Sequence, residues 1–265
     1  LALKVVHPTV KPERIANELH HLHASRGHGN VVECLDAFSL SPKAGGFVFV
    51  FPQFQHTGFL DMVTSFSLGD VRAFARSLFA ALAHIHAKGI IHRDVKPRNF
   101  LYSPEDQAGL LLDFGLAQTT ASSIPAPRQA AATRKRTHPP GRAGSHYPAT
   151  PGLPLTALAK PKQRADRAGT PGFRAPEVLM CVQEQSTALD VWSAGVMLCM
   201  LLARRYPLFY TAKGGDMHSL TQIMNLLGVE PVLEAAHRCG KAITEHPLDA
   251  GEGPKLRELV MRCVC

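Results

Sequence analysis

The chain has 265 residues, 45% of them apolar and 19% charged. That is enough to bury a sizeable core in one large or one two-lobed domain. The net charge of +8 could suit nucleic acid or another acidic partner, but nine Lys or Arg and one acid, Asp166, fall within residues 120–168. The rest of the chain is nearly balanced, so the excess belongs to one segment.

No secretory signal or membrane span is expected. The longest apolar run, residues 194–203, ends in Arg204-Arg205, well short of the about 20 residues a spanning helix needs. Six cysteines show no paired spacing, which reads as reduced thiols in a cytosolic or nuclear compartment.

Leu1-Ala2-Leu3-Lys4-Val5-Val6 reads as a buried strand with one charge in it. A lone Lys there needs a partner, unless it points to solvent from the strand edge. Residues 12–23 follow as a helix, with Ile15, Leu19 and Leu22 as its apolar face and Glu18 among them. Residues 31–40 and 47–51 read as two strands joined by the Pro- and Gly-bearing turn 41–46. Residues 68–88 form a long amphipathic helix through Val71, Phe74, Ala75, Leu78, Leu82 and Ile85, and Gly89 stops it. Its role is to deliver Ile90-Ile91-His92.

Residues 100–102 and 110–112 form a hairpin. Residues 119–168 are rich in Ala, Pro, Arg and Ser and lack periodicity, so they read as a disordered insert. Arg134-Lys135-Arg136 and the cluster at 160–164 are solvated charge, a nuclear address or a phosphate- or DNA-contacting patch. The continuous apolar stretch 187–202 is a buried helix, and Asp190 within it needs backbone donors. Residues 216–227, with Leu220, Ile223, Met224 and Leu227, form another helix; 229–239 and 254–265 suggest two more.

The chemistry concentrates in His92-Arg93-Asp94-Val95-Lys96-Pro97-Arg98-Asn99. An Asp, a Lys and an Asn within six positions can surround one transferring group. Asp113, in Asp113-Phe114-Gly115, adds a second carboxylate beyond the hairpin. Phosphoryl transfer needs that set: a carboxylate to orient a hydroxyl, a cation against phosphate charge, and oxygen ligands for magnesium. Either piece alone reads as a surface loop or a turn. The 19-residue spacing from Asp94 to Asp113, with a hairpin between, argues for the pair.

This ordered set resembles the catalytic core of eukaryotic protein kinases. Lys96 after the Asp, and Thr170 before Ala175-Pro176-Glu177, look like the serine/threonine branch. A closer similarity is to the cell-division-cycle-seven kinases. It lies in Asn99-Phe100-Leu101-Tyr102, Asp113 through Gln118, residues 169–179, Trp192 through Val196, the short Lys4–Glu18 spacing and the insert.

The resemblance implies an α+β, bilobal kinase-like fold. Residues 1–54 would be a partial N-lobe with the hinge, and 55–265 the C-lobe carrying the 119–168 insert. It implies ATP and Mg²⁺ as cofactors. Asp94 would orient the hydroxyl, Lys96 would face the γ-phosphate, and Thr170 would bond both. Asn99 and Asp113 would hold magnesium. Lys4, fixed by Glu18, would hold the α- and β-phosphates. Ala2 and Leu101 would sandwich the adenine, Phe51 would gate the back of its pocket, and Phe54 would lie in the hinge. Leu22, Phe114 and His92 would stack, and Asp190 would cap the catalytic loop. The implied partners are a protein substrate, such as minichromosome maintenance helicase subunits, and a regulatory subunit. The implied location is the nucleus. No membrane partner is expected, and the insert gives at most an accessory role in nucleic-acid binding.

Two features depart from the family pattern. No Gly-rich loop precedes Lys4, and no final segment bears a recognisable Arg to pair with Glu177. They keep open a rival reading, a non-catalytic interaction module.

Overall fold

The computed structural model describes residues 1–40, 46–120, 168–210, 215–243 and 256. Turn 41–45, nearly all of the basic insert and nearly all of the 254–265 segment lie outside these. The mixed helix and strand content is that of an α+β protein.

Strands β1 (Ala2–Val6), β2 (Asp36–Ser39) and β3 (Phe47–Phe51) form an antiparallel sheet in the order β1-β3-β2. Ala2 pairs with Phe51 and Lys4 with Phe49. Successive side chains alternate, so Ala2, Lys4, Val6, Phe49 and Phe51 share a face. Phe49 is fully buried, so this is the packed face. Leu1, Leu3 and Val5 lie on the other and are exposed. The expectation of a buried strand holds only in part: Leu1, Leu3 and Val5 face out, while the Lys4 charge faces in beside the buried Val6. The cause is Glu18, which sits on the packed side.

Helix α1 (Pro12–Ala24) starts with Pro at its N-terminus and Glu13 in its first turn, both favourable there. It buries Glu18, His21 and Leu22, whereas Leu19 is exposed. Of the expected Ile15–Leu19–Leu22 stripe, Leu22 is fully buried and Ile15 packs against the core, while Leu19 faces out; the helix is rolled to bring Glu18 to the sheet. Residues 31–34 also form no strand of that sheet, which the chain joins only from Leu35, whose amide donates to the Val50 carbonyl at 2.8 Å. Val31 bridges to Leu111, and the Val32 amide donates to the Leu111 carbonyl at 2.9 Å. This segment pairs with the catalytic hairpin instead.

Helix α2 (Phe59–Ser65) is short and buries Met62 and Val63. Helix α3 (Leu68–Ala87) begins with a capping box between Ser67 and Asp70. It buries Val71, Phe74, Leu78, Ala81, Leu82 and Ile85. Gly89, at φ 68°, ends it in the left-handed conformation glycine tolerates. Strand β4 (Ile90–Ile91) follows at once, and β5 (Phe100–Ser103) pairs with β6 (Ala108–Leu111) as the hairpin. Gly109 is needed there, because a Cβ would fall 2.2 Å from the Phe100 ring. Strand β7 (Gln118–Thr119) returns to pair with β4.

Helices α4 (Pro176–Leu179), α5 (Ala188–Leu202), α6 (Gly215–Leu227) and α7 (Val229–Arg238) complete the described elements. None of the described helices is long and apolar enough to cross a membrane. One hydrophobic core runs from Leu22 and Phe49 through α3 to Met197 and Met224. Phe74 lies at its aromatic centre, in ring contact with Phe59, Phe66, Phe100 and Tyr102. Phe74→Ala is expected to cost about 3–5 kcal/mol of folding stability, read from the denaturant midpoint. A loss well below that range would show that this cluster does not anchor the core.

Candidate active site

The inner face of β1 presents Lys4 to two carboxylates. Its Nζ donates to Glu18 Oε1 at 2.6 Å and to Asp113 Oδ1 at 2.8 Å. Glu18 is buried and Asp113 partly exposed. Burial works against the Lys4 charge, but Glu18 and Asp113 outweigh it and raise its pKa. Burial also raises the Glu18 pKa, which Lys4 only partly offsets. At Asp113 burial is overcome by the Lys4 hydrogen bond and charge, so its pKa is lowered.

Helix α1 is also tied to the segment after Asp113. The Asn17 amide donates to the Ala117 carbonyl at 3.1 Å, and His21 Nε2 lies 3.4 Å from Thr119 Oγ1. His21 Nδ1 meets the Asn17 carbonyl at 2.8 Å, and burial lowers its pKa, which favours the neutral ring.

Asp190 holds the loop after β4. It is fully buried in the first turn of α5. Its two carboxylate oxygens accept from the His92 amide at 2.7 Å and the Arg93 amide at 2.8 Å. These are the backbone donors its burial requires. His86 Nε2 lies 2.9 Å from the same carboxylate, a contact with no signal in the sequence. Arg93 is left-handed, at φ 69°, a strained state for a residue with a Cβ.

Asp94, Lys96, Asn99 and Thr170 form the second polar cluster. Lys96 Nζ donates to Asp94 Oδ2 and to Thr170 Oγ1, each at 2.7 Å. Thr170 in turn donates to Asp94 Oδ1 at 2.7 Å. The Asn99 amide donates to the Asp94 carbonyl at 2.8 Å and to Oδ2 at 3.0 Å. Asp94 and Asn99 are buried, so the carboxylate is oriented from three sides.

Asp113 stands at φ 61°, next to Leu112, whose amide donates to the Asn99 carbonyl at 2.8 Å. Beside it His92 and Phe114 meet edge to face at 5.1 Å, and both are fully buried, as is Leu22. Asp113 takes its hydrogen bonds on Oδ1, and the Asn99 side chain acts only as a donor among the described residues. Each keeps one oxygen without a hydrogen bond among the described residues. A carboxylate and an amide oxygen are hard donors of the kind a magnesium ion takes together with water and phosphate. No group of three or more His, Cys, Asp or Glu among the described residues makes a site on its own.

The apolar residues expected around the nucleotide fall in different places. Ala2 and Phe51 are cross-strand partners on the Lys4 face. Phe51 stacks on Phe49 at 6.2 Å, and Phe54 packs against the core. Leu101, on β5, lines a groove of about 690 Å³ with His56, Phe59 and Arg98. Glu177 has no ion pair among the described residues and borders an apolar cavity with Trp192.

The protein kinase domain model matches residues 1–138 and 155–265. A probable cell division control protein 7 homologue of Encephalitozoon cuniculi is 34% identical over 91% of this chain and 67% of its own length.

The chain belongs to the protein kinase family, in its cell-division-cycle-seven group.

The cell cycle protein kinase spo4 of Schizosaccharomyces pombe is 38% identical over 86% of this kinase chain. The human cell division cycle 7-related protein kinase is 29% identical over 92%. The match covers only 53% of spo4 and 63% of the human protein, so this chain spans part of the length of those relatives. The α+β architecture agrees with the family.

The Lys4 bridge makes a titration prediction. A carboxylate whose folded pKa is lowered adds stability above the ordinary aspartate range and loses it below that range, as pH falls through the lowered pKa. Asp113 is such a group, and Lys4 is the cause. In Lys4→Met, burial is no longer opposed by the Lys4 charge and hydrogen bond, so Asp113 and Glu18 should both titrate higher than in the parent chain. Carboxyl ¹³C NMR reads both, and an unmoved Asp113 would contradict the assignment.

Proposed function

We propose that this chain is the catalytic domain of a serine/threonine kinase that transfers the γ-phosphoryl group of ATP to protein hydroxyls. The observation that carries the reading is the Asp94 carboxylate, held at 2.7 Å by both Lys96 and Thr170. Such a carboxylate is set to receive a hydroxyl proton. Lys96 would then turn toward the phosphate charge.

Lys4 would hold the α- and β-phosphates, with Glu18 keeping its ammonium in place. Asn99 and Asp113 would hold Mg²⁺, which supplies charge neutralisation when bound. Ala2 and Leu101 would close on the adenine, Phe51 would limit the pocket's depth, and the Phe54 backbone would bond the base. The protein's contribution is positioning and electrostatics, as phosphoryl transfer requires.

The likeness to cell-cycle kinases supports a role in cell-cycle control. We place that role in the initiation of DNA replication, in the nucleus. The substrates would be proteins such as minichromosome maintenance helicase subunits, and a regulatory subunit would activate the domain.

The test is phosphate transfer from labelled Mg·ATP to a serine-containing acidic peptide, with and without a candidate regulatory subunit. Asp94→Asn is expected to lower the rate by about a hundredfold or more. Transfer that Asp94→Asn leaves intact would refute the role given to Asp94. A folded chain that stays silent with every partner supplied would favour the interaction module.

A further inference from the structure

Thr170 is held by a second set of contacts that leads away from the reacting groups. The Phe173 amide donates to the Thr170 carbonyl at 3.1 Å, so residues 170–173 form a tight turn. Arg174 reaches back across that turn, and its Nε donates to the Gly169 carbonyl at 3.0 Å. Its Nη1 donates to Asp216 Oδ1 at 2.7 Å. Asp216 lies in the first turn of α6, where a carboxylate suits the helix dipole. Both side chains of the pair are 17% exposed. Ser193 on α5 fixes the same turn by donating to the Phe173 carbonyl at 2.8 Å.

Gly169 makes the turn intolerant of movement. It stands at φ 98°, and a Cβ there would lie 2.8 Å from the Arg93 carbonyl. The peptide before Thr170 therefore sits against the catalytic loop on one side and the Arg174 guanidinium on the other. A planar guanidinium can bond a carbonyl and a carboxylate at once; an ammonium on a flexible stem lacks that fork.

We propose that Arg174, anchored by Asp216, is a positioning residue for Thr170. It sets where the Thr170 hydroxyl meets Asp94 and Lys96, and it couples the start of α6 to the catalytic carboxylate. The catalytic part of this inference rests on the kinase reading above; the geometric part does not.

The experiment has two readouts on the full chain. The first is the γ2-methyl NMR signal of Thr170. It should shift in Arg174→Met, and less in Asp216→Asn, while methyl signals of Leu78 in the α3 core stay in place. An unmoved Thr170 methyl in Arg174→Met overturns the proposal whether or not the chain transfers phosphate. The second is kinetic. Arg174→Met should lower kcat by about tenfold or more, since a small misplacement of a reacting group has that scale of effect. KM for ATP should stay within about twofold. Arg174→Lys should restore only part of the rate. In a Thr170→Ala background, Arg174→Met should add less than about twofold, because both changes act through one hydroxyl. A full additional loss there would overturn the proposal. No transfer by the parent chain would count against the kinase reading, and the methyl signal would still decide the positioning claim.

Discussion

The Lys4 ammonium is the contact on which the rest of the site depends. It joins an edge strand, helix α1 and the Asp113 turn, which is 109 residues away in sequence. Taking a Lys and two carboxylates partly out of water costs several kcal/mol unless their geometry compensates. Distances of 2.6 and 2.8 Å supply that geometry. The arrangement also explains two local oddities. The strand turns its leucines outward, and α1 leaves Leu19 exposed, because both elements are oriented by the charge pair. Asp216 and Arg174 repeat the pattern on a smaller scale beside the catalytic loop.

A second constraint holds the loop itself. Arg93 and Asp113 are both left-handed, which costs roughly 1–2 kcal/mol per residue. Asp190 stabilises the first with two charge-assisted backbone bonds, and Lys4 stabilises the second through its side chain. These strained residues flank the Asp94–Lys96–Thr170 cluster. These contacts fix the Asp94 carboxylate and the two spare oxygens of Asn99 and Asp113 in place before any ligand arrives. Preorganised charge of this kind is worth most where water is scarce.

Much of this was legible in the chain. The helical period marked α1, α3 and α6, continuous apolar character marked α5, and the spacing of Asp94, Asn99 and Asp113 marked the chemistry. What failed has a physical source. An apolar strand at a sheet edge reads like a buried one, because periodicity does not report what covers a face. Val31 and Val32 have strand-like composition but pair with Leu111, some 80 residues later, which no local signal encodes. His86 and the Arg174–Asp216 pair were invisible for the same reason. Each bond links positions that only the folded chain brings together.

The measurement that most directly tests the account is calorimetric titration of the chain with ATP, with and without Mg²⁺, alongside Asp113→Ala. The account predicts binding that strengthens with Mg²⁺ and loses that gain in the variant, because Asp113 supplies an oxygen of the metal site. Binding that ignores both Mg²⁺ and Asp113 would contradict it, and would mean that the Lys4 bridge joins the elements without building a nucleotide site.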